Sequence, residues 1–278
     1  MKPQLRLSRG GSSFRKIAMG SWRTAGDPSV YGLLEIDMTK ALAYIKNHDS
    51  EAGPKVTIAH LAGKAAATAM KERPEINGMI RFNRIYLREH VDLFYQVNIP
   101  GNPNDPVGKA TLTGVVIRHA DQLSVHQIAE ALGKKASAVK NGEASELTRS
   151  TDALKWVPWC LIRPILNIAS FLNYDLGINL TWAGMPHDAF GSIMITNIGG
   201  MGGDTAWAPL VPYSKVPILL TVGAIKDRPW VTEAGKIEVR PVARIGVTFD
   251  HRFMDGTHAA ALQKIFERCF QEPEKYFN

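Results

Sequence analysis

The 278-residue chain contains only two cysteines, Cys160 and Cys269. Two are too few for a disulfide framework and point to a reducing, cytoplasmic compartment. No uninterrupted apolar run reaches the roughly 20 residues of a membrane-spanning helix, and the N-terminus lacks the apolar core of a signal peptide. The eight histidines, at 48, 60, 90, 119, 126, 187, 251 and 258, include no HxxxH or His/Cys cluster of ligand spacing, so no metal is expected. A dense Lys/Arg tract with interleaved aromatics is also missing, which argues against nucleic acid. The glycine-rich run at 199–203 is followed by DTAWAPLVPYSKVP, whose prolines forbid a helix that could hold a phosphate, and no GK[ST] occurs. Dinucleotide and P-loop readings therefore fail. No internal repeat and no linker-like stretch divides the chain, so one domain over 1–278 is the simplest organisation.

What is present is an ordinary globular composition, 45% hydrophobic and 21% charged, with 33 Lys plus Arg against 26 Asp plus Glu. The net charge of +7 suits an anionic partner, including a phosphate-bearing small molecule. Five of the cations (Lys2, Arg6, Arg9, Arg15, Lys16) sit in the first twenty residues and read as a solvated arm.

Helix and strand patterns alternate along the chain. Thr57 caps a predicted helix through about Arg73, with Ile58, Leu61, Ala62, Ala65, Ala69 and Met70 on one face and Pro74 as the stop. A second helix runs from Ser124 to about Gly142, and a third carries Leu262, Ile265, Phe266, Cys269 and Phe270 before Pro273. Cys269 thus lies on an apolar stripe as a small hydrophobe. Strands are expected at 30–38, 84–87, 93–99, 112–118, 191–198, 216–225 and 243–250, with a hairpin around Gly235. The stretch at about 145–188 is a Trp-rich apolar insert, carrying Trp156, Trp159 and Trp182. A buried helical hairpin or a subunit contact is the first reading, and a peripheral membrane contact through 150–185 the second.

The motif FDHRFMDG, 249–256, leaves a well-alternating strand and enters a helix within a few residues. A neutral His251 there can act as general base for a thiol or hydroxyl, with the Asp255 carboxylate ordering the site. Equally, Asp255 can simply cap the last helix, and His251 can be a turn histidine.

FDHRFMDG resembles the DHRxxDG signature of the catalytic domain of dihydrolipoyl acyltransferases from 2-oxo acid dehydrogenase complexes, a family that shares the fold of chloramphenicol acetyltransferase. Asp250 and Arg252 flank the histidine, which points to the dihydrolipoyl branch. Further segments are similar to that family: FRKIAMGSW (14–22), LLEIDMTKAL (33–42), AGKAAATAMKERPEINGMI (62–80), GSIMITNIGGMGG (191–203) and QEPEKYF (271–277). Only 145–188 stands outside the likeness.

The resemblance implies an α/β fold, a chloramphenicol acetyltransferase-like two-layer sandwich with a mixed β-sheet and helices on one face. It implies that His251 takes the proton from an acceptor thiol attacking acyl-CoA, and that Asp255 keeps the site in shape. Gly256 gives a tight turn into the helix, and Arg15 pairs with the motif aspartate. Thr196 replaces a serine whose hydroxyl stabilises the oxyanion, keeping the hydroxyl and adding a methyl. Asn197, Gly199 and Gly200 then form a bend that lets substrate approach the backbone. Coenzyme A is expected as a substrate, and the lipoyl group only on a separate lipoyl-bearing protein. The expected assembly is a homotrimer, or a larger assembly of trimers, with active sites between subunits. Two other functions fit the same fold: a non-catalytic assembly subunit, and a membrane-surface acyltransferase with a lipidic acceptor.

Overall fold

The computed structural model describes residues 27–48, 53–99, 111–140, 157–183, 187–232 and 234–278. Its centre is a six-stranded sheet in the order β1-β8-β7-β6-β4-β5, from β1 (Ser29–Asp37), β4 (Leu93–Ile99), β5 (Thr111–Ile117), β6 (Ile193–Asn197), β7 (Ile218–Val231) and β8 (Ile237–Asp250). The pairs β1/β8, β8/β7 and β4/β5 are antiparallel, while β6 runs parallel to both β4 and β7. The sheet is therefore mixed, as expected. A separate hairpin joins β2 (Gly78–Arg81) to β3 (Arg84–Leu87).

Alternation along the strands decides which side is covered by what. Leu93, Tyr95, Ile193, Ile195, Leu220, Val222, Ile245 and Val247 face one way, into the main core. Against them pack α1 (Thr39–His48), α2 (Ile58–Glu72), α3 (Val125–Lys140) and α5 (Gly256–Gln271). Helix α2 is small-residue-rich on every side, and its buried alanines let it lie at the centre of this layer. Phe94, Met194 and Leu219 point to the opposite face and form a smaller core with Tyr174, Phe190 and Val216.

The insert differs from the expected buried helical hairpin. Its described part is one helix, α4 (Trp159–Ser170), then a wide turn over Phe171–Asp175 and a short 3-10 turn at Thr181–Ala183. Only one side of α4 faces the protein, and Trp159 and Trp182 are 94% and 82% exposed. The physical reason is that the anchoring groups, Asn173, Tyr174 and Asp175, come after the helix, so α4 is tethered at its end and not enclosed. Among the described residues no helix is long and apolar enough to cross a membrane.

Candidate active site

Strand β8 carries the motif to the rim of the sheet. Asp250, 8% exposed, closes the strand by donating its N–H to the Pro217 carbonyl (3.0 Å). Its own carbonyl accepts from the N–H groups of Phe253 (2.9 Å) and Met254 (3.0 Å), which turns the chain. Phe253 and Met254 are buried in the main core and pin the far side of that turn. Between these anchors the His251 N–H donates to the Pro28 carbonyl (2.8 Å), and the imidazole is left exposed. The backbone of the histidine is fixed while its ring stays accessible.

Asp250 and Arg252, which the sequence offers only as a branch marker, have a definite part. The Arg252 guanidinium donates to both carboxylate oxygens of Asp250, through Nε (3.0 and 3.2 Å) and Nη2 (2.6 Å). The Arg252 N–H reaches Oδ1 as well (2.9 Å). These bonds raise the arginine pKa and make the turn around His251 stiff.

Asp255 is the N-cap of α5. Its Oδ1 accepts from the backbone N–H groups of Thr257 (2.9 Å) and His258 (3.1 Å), and lies 2.7 Å from His258 Nδ1. Contact that short calls for Nδ1–H donating to the carboxylate. The His258 backbone bond, with the His258 side chain and charge, holds the Asp255 carboxyl below the usual range, so it is ionised at neutral pH. Gly256 departs from expectation: it is the first helical residue, its φ is not positive, and a Cβ there would meet open space. The tight turn is made one residue earlier, by the extended backbone of Asp255. Arg15 lies outside the described residues.

Thr196 is half-buried near the end of β6, opposite Thr221 of β7. The next residues are committed to a local turn, because Asn197 Oδ1 accepts from the Gly199 N–H (3.0 Å) and the Gly200 N–H (3.3 Å). The three groups expected to meet substrate thus bond one another. Gly199 is also needed by the fold: a Cβ there would lie 2.7 Å from the Gly223 carbonyl of β7. The glycine run is a bend that lets the chain lie on the sheet backbone.

Register shows how far apart the two expected catalytic groups lie. Phe249 pairs with Ile218, and Thr196 with Thr221, on opposite sides of β7. His251 therefore stands about five strand residues and two strand spacings from Thr196, roughly 19 Å. One chain does not bring them together. Among the described residues, no group of three His, Cys, Asp or Glu side chains could hold a metal ion.

With this geometry, the sequence profile of the 2-oxoacid dehydrogenases acyltransferase (catalytic domain) family matches residues 16–152 and 186–278. The chain belongs to that family. Residues 153–185, the heart of the insert, fall outside the match. The chain is 26% identical over 246 residues to the dihydrolipoyllysine-residue acetyltransferase component of the acetoin cleaving system of Bacillus subtilis, covering 86% of this chain and 48% of that protein. It is 26% identical over 245 residues to the mitochondrial dihydrolipoyllysine-residue succinyltransferase component of the 2-oxoglutarate dehydrogenase complex of Saccharomyces cerevisiae, covering 87% and 42%. The chain thus spans about half, or less, of the length of these relatives. Among solved structures, Azotobacter vinelandii dihydrolipoamide acetyltransferase superposes with a TM-score of 0.65 at 20% identity, covering 91% of this chain and 85% of that one. That likeness confirms the fold.

Proposed function

We propose that the protein is a CoA-dependent acyltransferase in which His251 is the general base and a dihydrolipoyl thiol is the acceptor. The observation that carries the reading is the His251 turn, with its backbone held on both sides and its imidazole exposed. The imidazole takes the proton of the acceptor thiol as the sulfur attacks the acyl-CoA carbonyl. The tetrahedral oxyanion then collapses, the acyl–CoA sulfur bond breaks, and the departing CoA thiolate takes the proton back from the imidazolium. Thr196 donates its hydroxyl to the oxyanion, an interaction typically worth about 10²–10³ in rate. Because His251 and Thr196 of one chain lie far apart, the working site is formed where two copies meet, in a trimer or an assembly of trimers. The acceptor class is supported by the two relatives, both described as dihydrolipoyllysine-residue acyltransferases. The work on the Azotobacter protein concerns a serine, a histidine and an asparagine in its catalytic mechanism.

The test is CoA release from acyl-CoA with and without dihydrolipoamide, for wild type and His251→Ala. Release that requires both dihydrolipoamide and His251 is expected. Equal rates in the two proteins would remove His251 from the mechanism, and no release from wild type would favour an assembly role. Thr196→Val should slow turnover by about 10²-fold while Thr196→Ser is tolerated; an unaffected valine variant would remove the oxyanion role.

A further inference from the structure

We infer that a cavity beside the His251 turn is a subsite for an uncharged, apolar acyl chain, closed by residues that lie outside the family match. The inference rests on the acyl-transfer reading and deepens it by naming the substrate class.

The cavity holds about 480 Å³, within the range of small-molecule sites. Asp250 and Arg252, the neighbours of His251, line it, and so does Pro28, whose carbonyl receives the His251 N–H. The motif backbone is therefore part of its wall. The opposite walls come from the insert, through Phe171 and Asp175, from the β2–β3 turn, through Phe82, and from the proline-rich segment 209–217. The insert is fastened at this place. Asp175 pairs with Lys215 (2.9 Å), and its backbone carbonyl accepts from Arg81 Nη2 (2.5 Å).

Two observations give the cavity a ligand. Phe82 and Asn83 both have positive φ, 47° and 59°, as a two-residue hairpin turn of this kind requires. Asparagine suits that conformation, whereas a bulky aromatic there is an outlier of the kind that collects at ligand clamps. The Phe82 ring stands near-perpendicular to Phe171, centroids 6.2 Å apart, and both rings line the cavity. The second observation is charge. Among the described lining residues, three carboxylates (Asp27, Asp175, Asp250) face two cations (Lys215, Arg252), and both cations are already paired within the wall. Asp27 keeps its charge through its bonds from Ser29. Among the described residues, a phosphate or a carboxylate-ended acyl group such as succinyl finds no unpaired cation there, while prolines, Leu210, Val211 and the two phenylalanines offer apolar contact. Each methylene buried in such a site strengthens binding about fourfold.

The experiment measures dihydrolipoamide-dependent CoA release by the full chain from acetyl-, butyryl-, octanoyl- and succinyl-CoA, with calorimetric Kd values for octanoyl-CoA and CoA. Expected are a kcat/KM for a longer neutral acyl group at least about tenfold above that for succinyl, and tighter binding of octanoyl-CoA than of CoA. Phe171→Glu should lower the octanoyl-to-acetyl ratio of kcat/KM by about tenfold or more, and Phe171→Leu should restore most of it. An unchanged ratio in Phe171→Glu, or succinyl handled as well as the neutral chains, overturns the subsite. Absence of turnover with every thioester overturns the acyl-transfer reading instead. Octanoyl-CoA binding that Phe171→Glu weakens would still establish the subsite, and equal Kd values for octanoyl-CoA and CoA would remove it.

Discussion

His60 sits almost wholly buried in the first turn of α2, where its Nδ1 accepts the Thr57 N–H (3.0 Å). Burial pushes its pKa from 6.5 down to about 4. Between those values the unfolded chain binds a proton that the folded chain refuses, so stability is full above about 6.5 and falls as the pH drops toward 4. The loss is about 3 kcal/mol from this residue alone. Urea midpoints from pH 7 to 4.5 should fall steeply in wild type and less in His60→Gln; parallel curves would show that other groups carry the acid sensitivity. Asp255 makes a second residue-scale case, because its bonds are those of a helix cap. Asp255→Ala should lower the thermal midpoint, while Asp255→Asn, an equally good cap, should melt like wild type. If the asparagine variant melts normally yet transfers acyl groups slowly, the carboxylate charge serves the site as well as the helix.

At the scale of elements, the loop after β6 lies on the β7 backbone because Gly199 and Gly223 leave room for it, beside the irregularity between Val222 and Ile225. Gly199→Ala should therefore cost about 2 kcal/mol through forced backbone movement; an unchanged thermal midpoint would mean that the loop yields freely. The glycines were legible in the sequence as a bend, but their partner strand was not, since a close approach between distant segments has no local signature. Strands β3 and β4 were legible to the residue, and so were the Thr57 and Asp255 caps, where periodicity and turn chemistry agree. Helix α1 was hidden: only Ala41 and Tyr44 of its ten residues are buried, too thin a stripe to read. The far end of β7 was hidden too, because KDRPWV has no apolar alternation and takes its form from pairing, with Pro229 opposite Val239. The cavity wall depends on Phe82, Phe171 and Arg252, residues far apart in sequence, and nothing local predicts their meeting. Cys269 was read correctly as a small core residue: burial raises its thiol pKa to about 12, far from a reactive thiolate.

At the scale of the whole molecule, two features ask for something beyond one chain. Trp159 and Trp182 stand out from the surface on a segment that the family match does not cover. If they meet a bilayer, detergent-free fractionation should find the protein partly with membranes, and replacing both tryptophans with serine should release it. Recovery of the wild type wholly in the supernatant would end the membrane reading. The separation of His251 from Thr196 makes the stronger demand. Sheet register sets it, so side-chain rotation cannot close a gap of roughly 19 Å. Transfer that uses both groups must then take His251 from one copy and Thr196 from its neighbour. His251→Ala and Thr196→Val chains, each impaired alone, should complement one another when unfolded together and reassembled. In a cyclic trimer mixed at random from equal amounts, about a quarter of the interfaces pair a native His251 with a native Thr196. Recovery of about a quarter of wild-type activity in the mixture is the expected result. A mixture no more active than its two components averaged would mean that no working site combines His251 of one copy with Thr196 of another.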